Sequence, residues 1–195
     1  MKNKLFLSLA IAGLTVAATG LHAQTSTWKI DPNHSSVNFQ VRHMAVSTVR
    51  GSIDGVAGMV VLNDKDITKS TVNATIDATT VNTGVERRDK DLKSPNFFDV
   101  EKYPQITFKS TGITNSGGKL KLTGDLTLDA VTKSITLDLD GPSAPQTDAK
   151  GMTRSGFSAS GVLSRKDFDF GQKTPASGAI SDEVKFTIDV EIDKQ

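Results

Sequence analysis

Apolar and polar residues alternate with a period of two over most of the chain. Val37, Phe39, Val41 and His43 share one parity, with Ser36, Asn38, Gln40 and Arg42 on the other. Val72, Ala74, Ile76 and Ala78 repeat the pattern, as do Ile106 and Phe108. Leu120, Leu122, Gly124, Leu126 and Leu128 continue it, then Ile135, Leu137 and Leu139. The last run places Val184, Phe186, Ile188, Val190 and Ile192 against Lys185, Thr187, Asp189 and Glu191. This is the signature of antiparallel strands with one dry and one wet face. Asn115-Ser116-Gly117-Gly118, Ala130–Lys133 and the loop opening at Gly141-Pro142 punctuate the runs as turns. About eight short strands with short links predict an all-β barrel or sandwich. One stretch breaks the alternation. Gly84 to Tyr103 is densely charged, and Glu86–Lys93 reads as a helix of about two turns, stopped by Pro95. Such a helix would lie across a barrel mouth or side, with Phe97 and Phe98 pinned inward.

The first 23 residues follow a different rule. Lys2 and Lys4 precede an apolar run from Leu5 to Ala18, and small and polar residues lead to Ala23. This is the layout of a cleavable secretory signal peptide, with cleavage expected after Ala23. The run falls short of the ~20 residues that a membrane span needs. No Cys follows to carry a lipid anchor. The expected mature domain is therefore 24–195, exported to the periplasm.

Composition narrows the function classes. The chain of 195 residues has formal charge +1, and loss of the leader leaves 21 basic against 22 acidic residues. No strongly basic surface is implied, so nucleic acid is not an expected partner. The absence of Cys excludes disulfides, thiolate metal sites and thiol nucleophiles. A transmembrane barrel would carry aromatic girdles. One Trp and one Tyr cannot make them, so stable membrane insertion is not expected.

Catalytic patterns are sparse. There is no G-x-S-x-G elbow, Walker sequence, G-x-G-x-x-G or H-E-x-x-H. Beyond the leader the histidines are His34 and His43, and Asp31 stands three residues before His34. These three could form a metal or acid–base site only if they converge. The expected reading is His34 hydrogen-bonded in a turn, His43 lining a pocket or packed in the core, and no metal or cofactor.

The ordered motifs resemble those of the YceI-like family. Trp28, Asp31, His34-Ser35, the Val37-Phe39-Val41 alternation and His43-Met44 match its opening. Val49-Arg50-Gly51, Gly58 and Val60 follow. Arg88-Asp89, Leu92, Ser94, Phe97-Phe98-Asp99 and Tyr103-Pro104-x-Ile106-x-Phe108 match its middle. Ser164–Phe168 and Asp182-Glu183-Val184 match its end. The chain departs from the family pattern at Asp91, where His is frequent, at Asn96, where Asp is frequent, and at Asp169, where Gly is frequent. The resemblance implies a lipocalin-like antiparallel barrel of about eight strands around an elongated apolar tunnel. It also implies a polyisoprenoid or other long-chain lipid as ligand, no established catalysis, and a homodimer.

Parity then nominates the tunnel wall. The apolar candidates by parity are Val37, Phe39, Val41, Ile76 and Phe108, with Leu122, Leu126, Leu137, Phe157, Phe186 and Ile188, and the turn after the helix adds Phe97 and Phe98. Gly58, Gly124 and Gly161 fall on the inward parity and are expected to leave space. His43, Arg50 and Arg88 are the polar candidates at the mouth. Three readings follow: a lipid carrier or sequestering protein, a hydrolase or lyase acting on a lipid with His34 or His43 and Asp31, and a fully packed structural barrel.

Overall fold

The structure, a computed structural model, describes residues 25–174 and 178–195. The expected leader and its cleavage point lie outside the described residues. Eleven strands form one antiparallel sheet: β1 (Thr25–Ile30), β2 (Ser36–His43), β3 (Ser47–Ile53), β4 (Ala57–Asn63), β5 (Thr71–Asp77), β6 (Gln105–Ser116), β7 (Lys119–Leu128), β8 (Val131–Asp140), β9 (Gln146–Thr147), β10 (Thr153–Ser164) and β11 (Ile180–Lys194). The ring β11-β1-β4-β5-β6-β7-β8-β10 closes through the β10–β11 pairing into an eight-stranded barrel. Closure removes the free edges that an open sheet would expose. The strand alternation is realised with its apolar face inward. Ile106, Phe108, Leu122, Leu126 and Leu137 are buried. Lys109, Lys121, Asp125, Ser134 and Asp138, on the other parity, are exposed. A barrel built to face lipid would reverse this.

The fifteen-residue β11 organises the wall. β10 runs along one edge of it, from Arg154↔Asp193 to Ser164↔Glu183. The other edge is shared: β1 pairs with Ile192–Lys194, and β2 takes over from Asp189 toward Ile180. The β2–β3 hairpin thereby extends the wall beyond the ring, and a bridge between Ser52 and Asn82 ties it to the segment after β5. Between the two partners, Glu191 would lose its ladder bonds. The Asp31 N–H donates to the Glu191 carbonyl at 3.0 Å, and the Ser35 hydroxyl accepts from the Glu191 N–H at 3.1 Å. Two residues of the opening motif thus satisfy the backbone where one strand replaces another.

The helix α1 (Glu86–Lys93) has the bounds the sequence predicts. Glu86 and Asp89 sit in its first turn and Lys90 and Lys93 in its last, which suits the helix dipole. Asp89 accepts from the Thr83 N–H and hydroxyl at 2.8 and 2.6 Å. The β6–β7 turn falls on Gly117-Gly118, both with positive φ, as two-residue hairpins favour. The β7–β8 turn is Asp129-Ala130, so β8 starts two residues earlier than Lys133, the end of the expected turn.

Ser35 is 5% exposed. Ser35→Ala should strand the Glu191 N–H and cost about 1–3 kcal/mol in chemical denaturation. Ser35→Thr should recover part of it. An unchanged midpoint for Ser35→Ala would show that the hydroxyl is not what satisfies that N–H.

Candidate functional site

The barrel interior has two levels. At one end Trp28, Ile30, Val60, Ile113, Leu122 and Ile192 are buried against one another, and the void beside Val72, Leu139 and Phe157 is only about 20 Å³. At the other end lies a cavity of about 490 Å³. The transition can be followed along single strands. On β11, Val190 and Ile192 are buried, whereas Ile188, Phe186 and Val184 line the cavity and are only half-buried. On β2, Val37 is buried, Phe39 and Val41 are half-buried, and His43 is exposed at the opening.

The structure brings most of the nominated apolar residues to this cavity. Val37, Phe39, Val41, Ile76, Phe97, Phe98, Phe108, Leu126, Leu137, Phe186 and Ile188 all line it. Leu122 and Phe157 do not. Both point inward, but Leu122 belongs to the packed level and Phe157 borders the small void. Alternation sets the face of a residue and not its height along the barrel axis. Arg50 is also off the wall. It pairs with Gln40 on the outward parity of the β2–β3 ladder, between the lining residue Val49 and Gly51.

The inward glycines admit rings rather than leave space. Gly51, Phe39, Phe186 and Gly161 form one row across β3, β2, β11 and β10. A Cβ on Gly51 would meet the Phe39 ring at 2.5 Å, and one on Gly161 would meet Leu137 at 2.8 Å and Phe186 at 3.2 Å. Gly124 similarly receives the Phe108 ring, at 2.4 Å. Gly58 serves the approach of β4 to β5, since a Cβ there would lie 2.1 Å from the Asn73 carbonyl oxygen.

The mouth is framed by three segments. The first is the β2–β3 tip, contributing His43 and Ser47. The second is α1 with its flanks, contributing Thr83, Arg88, Asp91, Leu92, Phe97 and Phe98. The third is the corner between β10 and β11, contributing Arg165, Phe170 and Ile180. Phe170 meets Phe97 and Phe98 edge-on at centroid distances of 5.8 and 4.7 Å, a preferred aromatic geometry. Sequence reading missed Phe170 and Arg165. The buried Arg165 donates to the carbonyls of Ser181, Phe170 and Ile180 at 2.8, 3.0 and 2.9 Å. Burial pushes its pKa down, and nearby Asp182 opposes the shift. Asp182 also accepts from the Ser164 hydroxyl at 2.8 Å and the Lys166 N–H at 2.9 Å. The Ser164–Phe168 and Asp182 motifs therefore lock the corner together. Asp169 has φ +53°, a left-handed conformation that explains why glycine suits this position and why Asp is tolerated.

Arg88 is the polar group best placed to meet a ligand. Its Nε donates to the Thr83 hydroxyl at 2.7 Å and its Nη2 to the Thr83 carbonyl at 3.0 Å. Among the described residues it has no carboxylate partner, and Nη1 engages no acceptor. Asp91, where the family often has His, is held by Asn96 Nδ2 at 2.9 Å.

His34 and His43 do not converge. They lie at opposite ends of β2, separated by about 30 Å of extended chain, and only His43 borders the cavity. Asp31 pairs with His34 away from the cavity wall, and His43, which lines the cavity, does not have Asp31 beside it. His34 Nδ1 lies 2.6 Å from Asp31 Oδ2 and 3.7 Å from Glu191 Oε1. These three residues form a potential metal-binding group, with donor atoms within 4.8 Å. Arg154 Nε stands 3.3 Å from the same Glu191 oxygen, placing a fixed positive charge beside them.

The comparisons with known proteins follow the same lines. The YceI-like domain model matches residues 28–192. The chain belongs to the YceI-like family. It is 38% identical to Protein YceI of Escherichia coli O157:H7 over 193 residues, covering 97% of each chain. The crystal structure of a Campylobacter jejuni YceI protein is 29% identical, with a TM-score of 0.68 over 79% of this chain and 90% of that one. A polyisoprenoid binding domain from Saccharophagus degradans shares the fold at 17% identity, with a TM-score of 0.64 over 86% of this chain and 98% of that one.

The His34 cluster has a pH signature. The hydrogen bond that His34 donates to the Asp31 carboxylate raises the His34 pKa above 6.5 and lowers that of Asp31 below 3.8. A raised histidine stabilises fully below its unfolded pKa and loses that effect as pH climbs through the folded value. A lowered Asp stabilises above its unfolded pKa and loses the effect in acid. Both contribute in the window between those reference values. Thermal melts should therefore show His34→Gln most destabilised relative to the parent near pH 5–6, with the difference shrinking above neutrality. A pH-independent difference would mean that the histidine acts through neutral contacts.

Proposed function

We propose that this YceI-like chain is a periplasmic carrier or sequestering protein that holds a polyisoprenoid or other long-chain lipid in its barrel. One observation carries the reading: a connected cavity of about 490 Å³ walled almost wholly by apolar side chains. Its volume falls in the ~300–1,000 Å³ range of small-molecule sites. The fold relation to a polyisoprenoid binding domain supports the same ligand class. Each buried CH₂ contributes ~0.8 kcal/mol, so one five-carbon prenyl unit offers ~4 kcal/mol before ordering costs. Affinity then grows with chain length, and the wall asks for little beyond an apolar chain of suitable width. Head-group orientation is left to the mouth, where the open Nη1 of Arg88 suits an oxygen acceptor and His43 stands at the rim.

Bound lipid can be extracted from the native protein and identified by mass spectrometry. Ile188→Trp, which places an indole in the cavity, should lower the amount bound by roughly tenfold while the fold is kept. Arg88→Met should leave alkyl-chain binding in place and weaken selection among head groups by roughly tenfold, the scale of a hydrogen bond to a charged group. Protein that arrives lipid-free and takes up no long-chain probe would overturn the reading.

A further inference from the structure

The two most exposed large apolar side chains among the described residues are neighbours. Val46 is 81% exposed and Met44 66%, and both sit on the turn joining β2 to β3. Scattered exposed apolar residues need no explanation, but this pair has three further properties. First, the turn is held in a costly shape. Met44 and Ala45 both have positive φ, 51° and 57°, in the turn closed by the Val46 N–H to the His43 carbonyl at 3.0 Å. That turn type ordinarily calls for Asn or Gly. Second, the tip is braced. Arg42 donates to the Ala45 carbonyl and the Thr48 hydroxyl, each at 2.7 Å, and the Met44 N–H donates to the Ala179 carbonyl at 2.7 Å. The apolar side chains are therefore presented by fixed backbone.

Third, the tip borders the cavity opening and has one sign of charge. His43 and Ser47, which flank it, both line the cavity. From Arg42 to Gly51 the chain holds two arginines and a histidine and no carboxylate. Arg50, which is absent from the cavity wall, faces outward on this same hairpin. Val85, just before α1, is also 47% exposed.

We propose that the β2–β3 tip docks the cavity mouth on an anionic lipid bilayer, with Met44 and Val46 entering the interface and Arg42 and Arg50 facing the head groups. Apolar side chains at the interface with basic residues beside them are the recognised chemistry of peripheral attachment. The proposal rests on the lipid-binding reading and adds a route to it. A ligand leaving past His43 and Ser47 enters the bilayer beside the tip instead of crossing water.

The test is flotation of the purified protein with phosphatidylglycerol–phosphatidylcholine vesicles and with pure phosphatidylcholine vesicles. A soluble fluorescent fatty-acid probe, used without vesicles, reads the cavity separately. The parent should float with the anionic vesicles, less so as ionic strength rises. The Met44→Ser/Val46→Ser variant should lose roughly tenfold or more in partitioning, and Arg50→Gln should lose less and show a weaker salt dependence. Both variants should bind the probe as the parent does. The docking proposal is overturned if the parent stays with the unbound fraction, if the double variant floats equally well, or if neutral vesicles serve as well as anionic ones. Failure of the parent to bind the probe overturns the cavity reading instead, and flotation still decides the docking.

Discussion

The barrel depends on one shared edge. β11 keeps β10 beside it from Glu183 to Asp193, but its other side passes from β1 to β2 within three residues. If β1 alone lined that edge, the wall would end with the ring. The handover lets the β2–β3 hairpin continue the wall past it, and this added height encloses the cavity. The transfer requires that Glu191 keep its backbone partners, which Asp31 and Ser35 supply. Asp31 and His34, which invite a catalytic reading on paper, gather around this joint with Ser35. The Asp31 and His34 side chains form an ion-pair cluster with Glu191 outside the cavity wall.

The same division explains the different fates of the aromatic residues. Trp28 belongs to the packed level, its indole N–H donating to Ser26, which in turn donates to Asp64. Phe97, Phe98 and Phe170 seal the mouth side beneath α1. Phe39 and Phe186 stand side by side between glycines, with room to lie against the wall. Glycine on an inward parity thus regulates cavity shape by placing rings.

Much of this was legible in the sequence because strand parity is a local property. Val37-Phe39-Val41 and Val184-Phe186-Ile188 declare their inward face without knowledge of their neighbours. The bounds of α1 follow from charge density and Pro95. Other features depend on the assembled barrel. Leu122 and Leu126 are indistinguishable by parity, yet one is packed and the other borders the cavity, because height along the axis is set by strand stagger. Arg165 and Phe170 reach the mouth only when the corner folds back on β11. Arg50 is a different case, since the parity of Val49, Gly51 and Ile53 already turns it outward.

The two-level interior has a consequence for how such a protein tolerates change. The side chains that fill the closed end and those that face the void occupy the same strands at different heights. Volume added among the latter displaces empty space, whereas volume added among the former meets other atoms. The contents of the cavity can therefore be retailored at positions such as Ile188 or Val184 while the closed end continues to specify the fold. The scaffold works as a vessel whose base is cast once and whose bore can be re-cut.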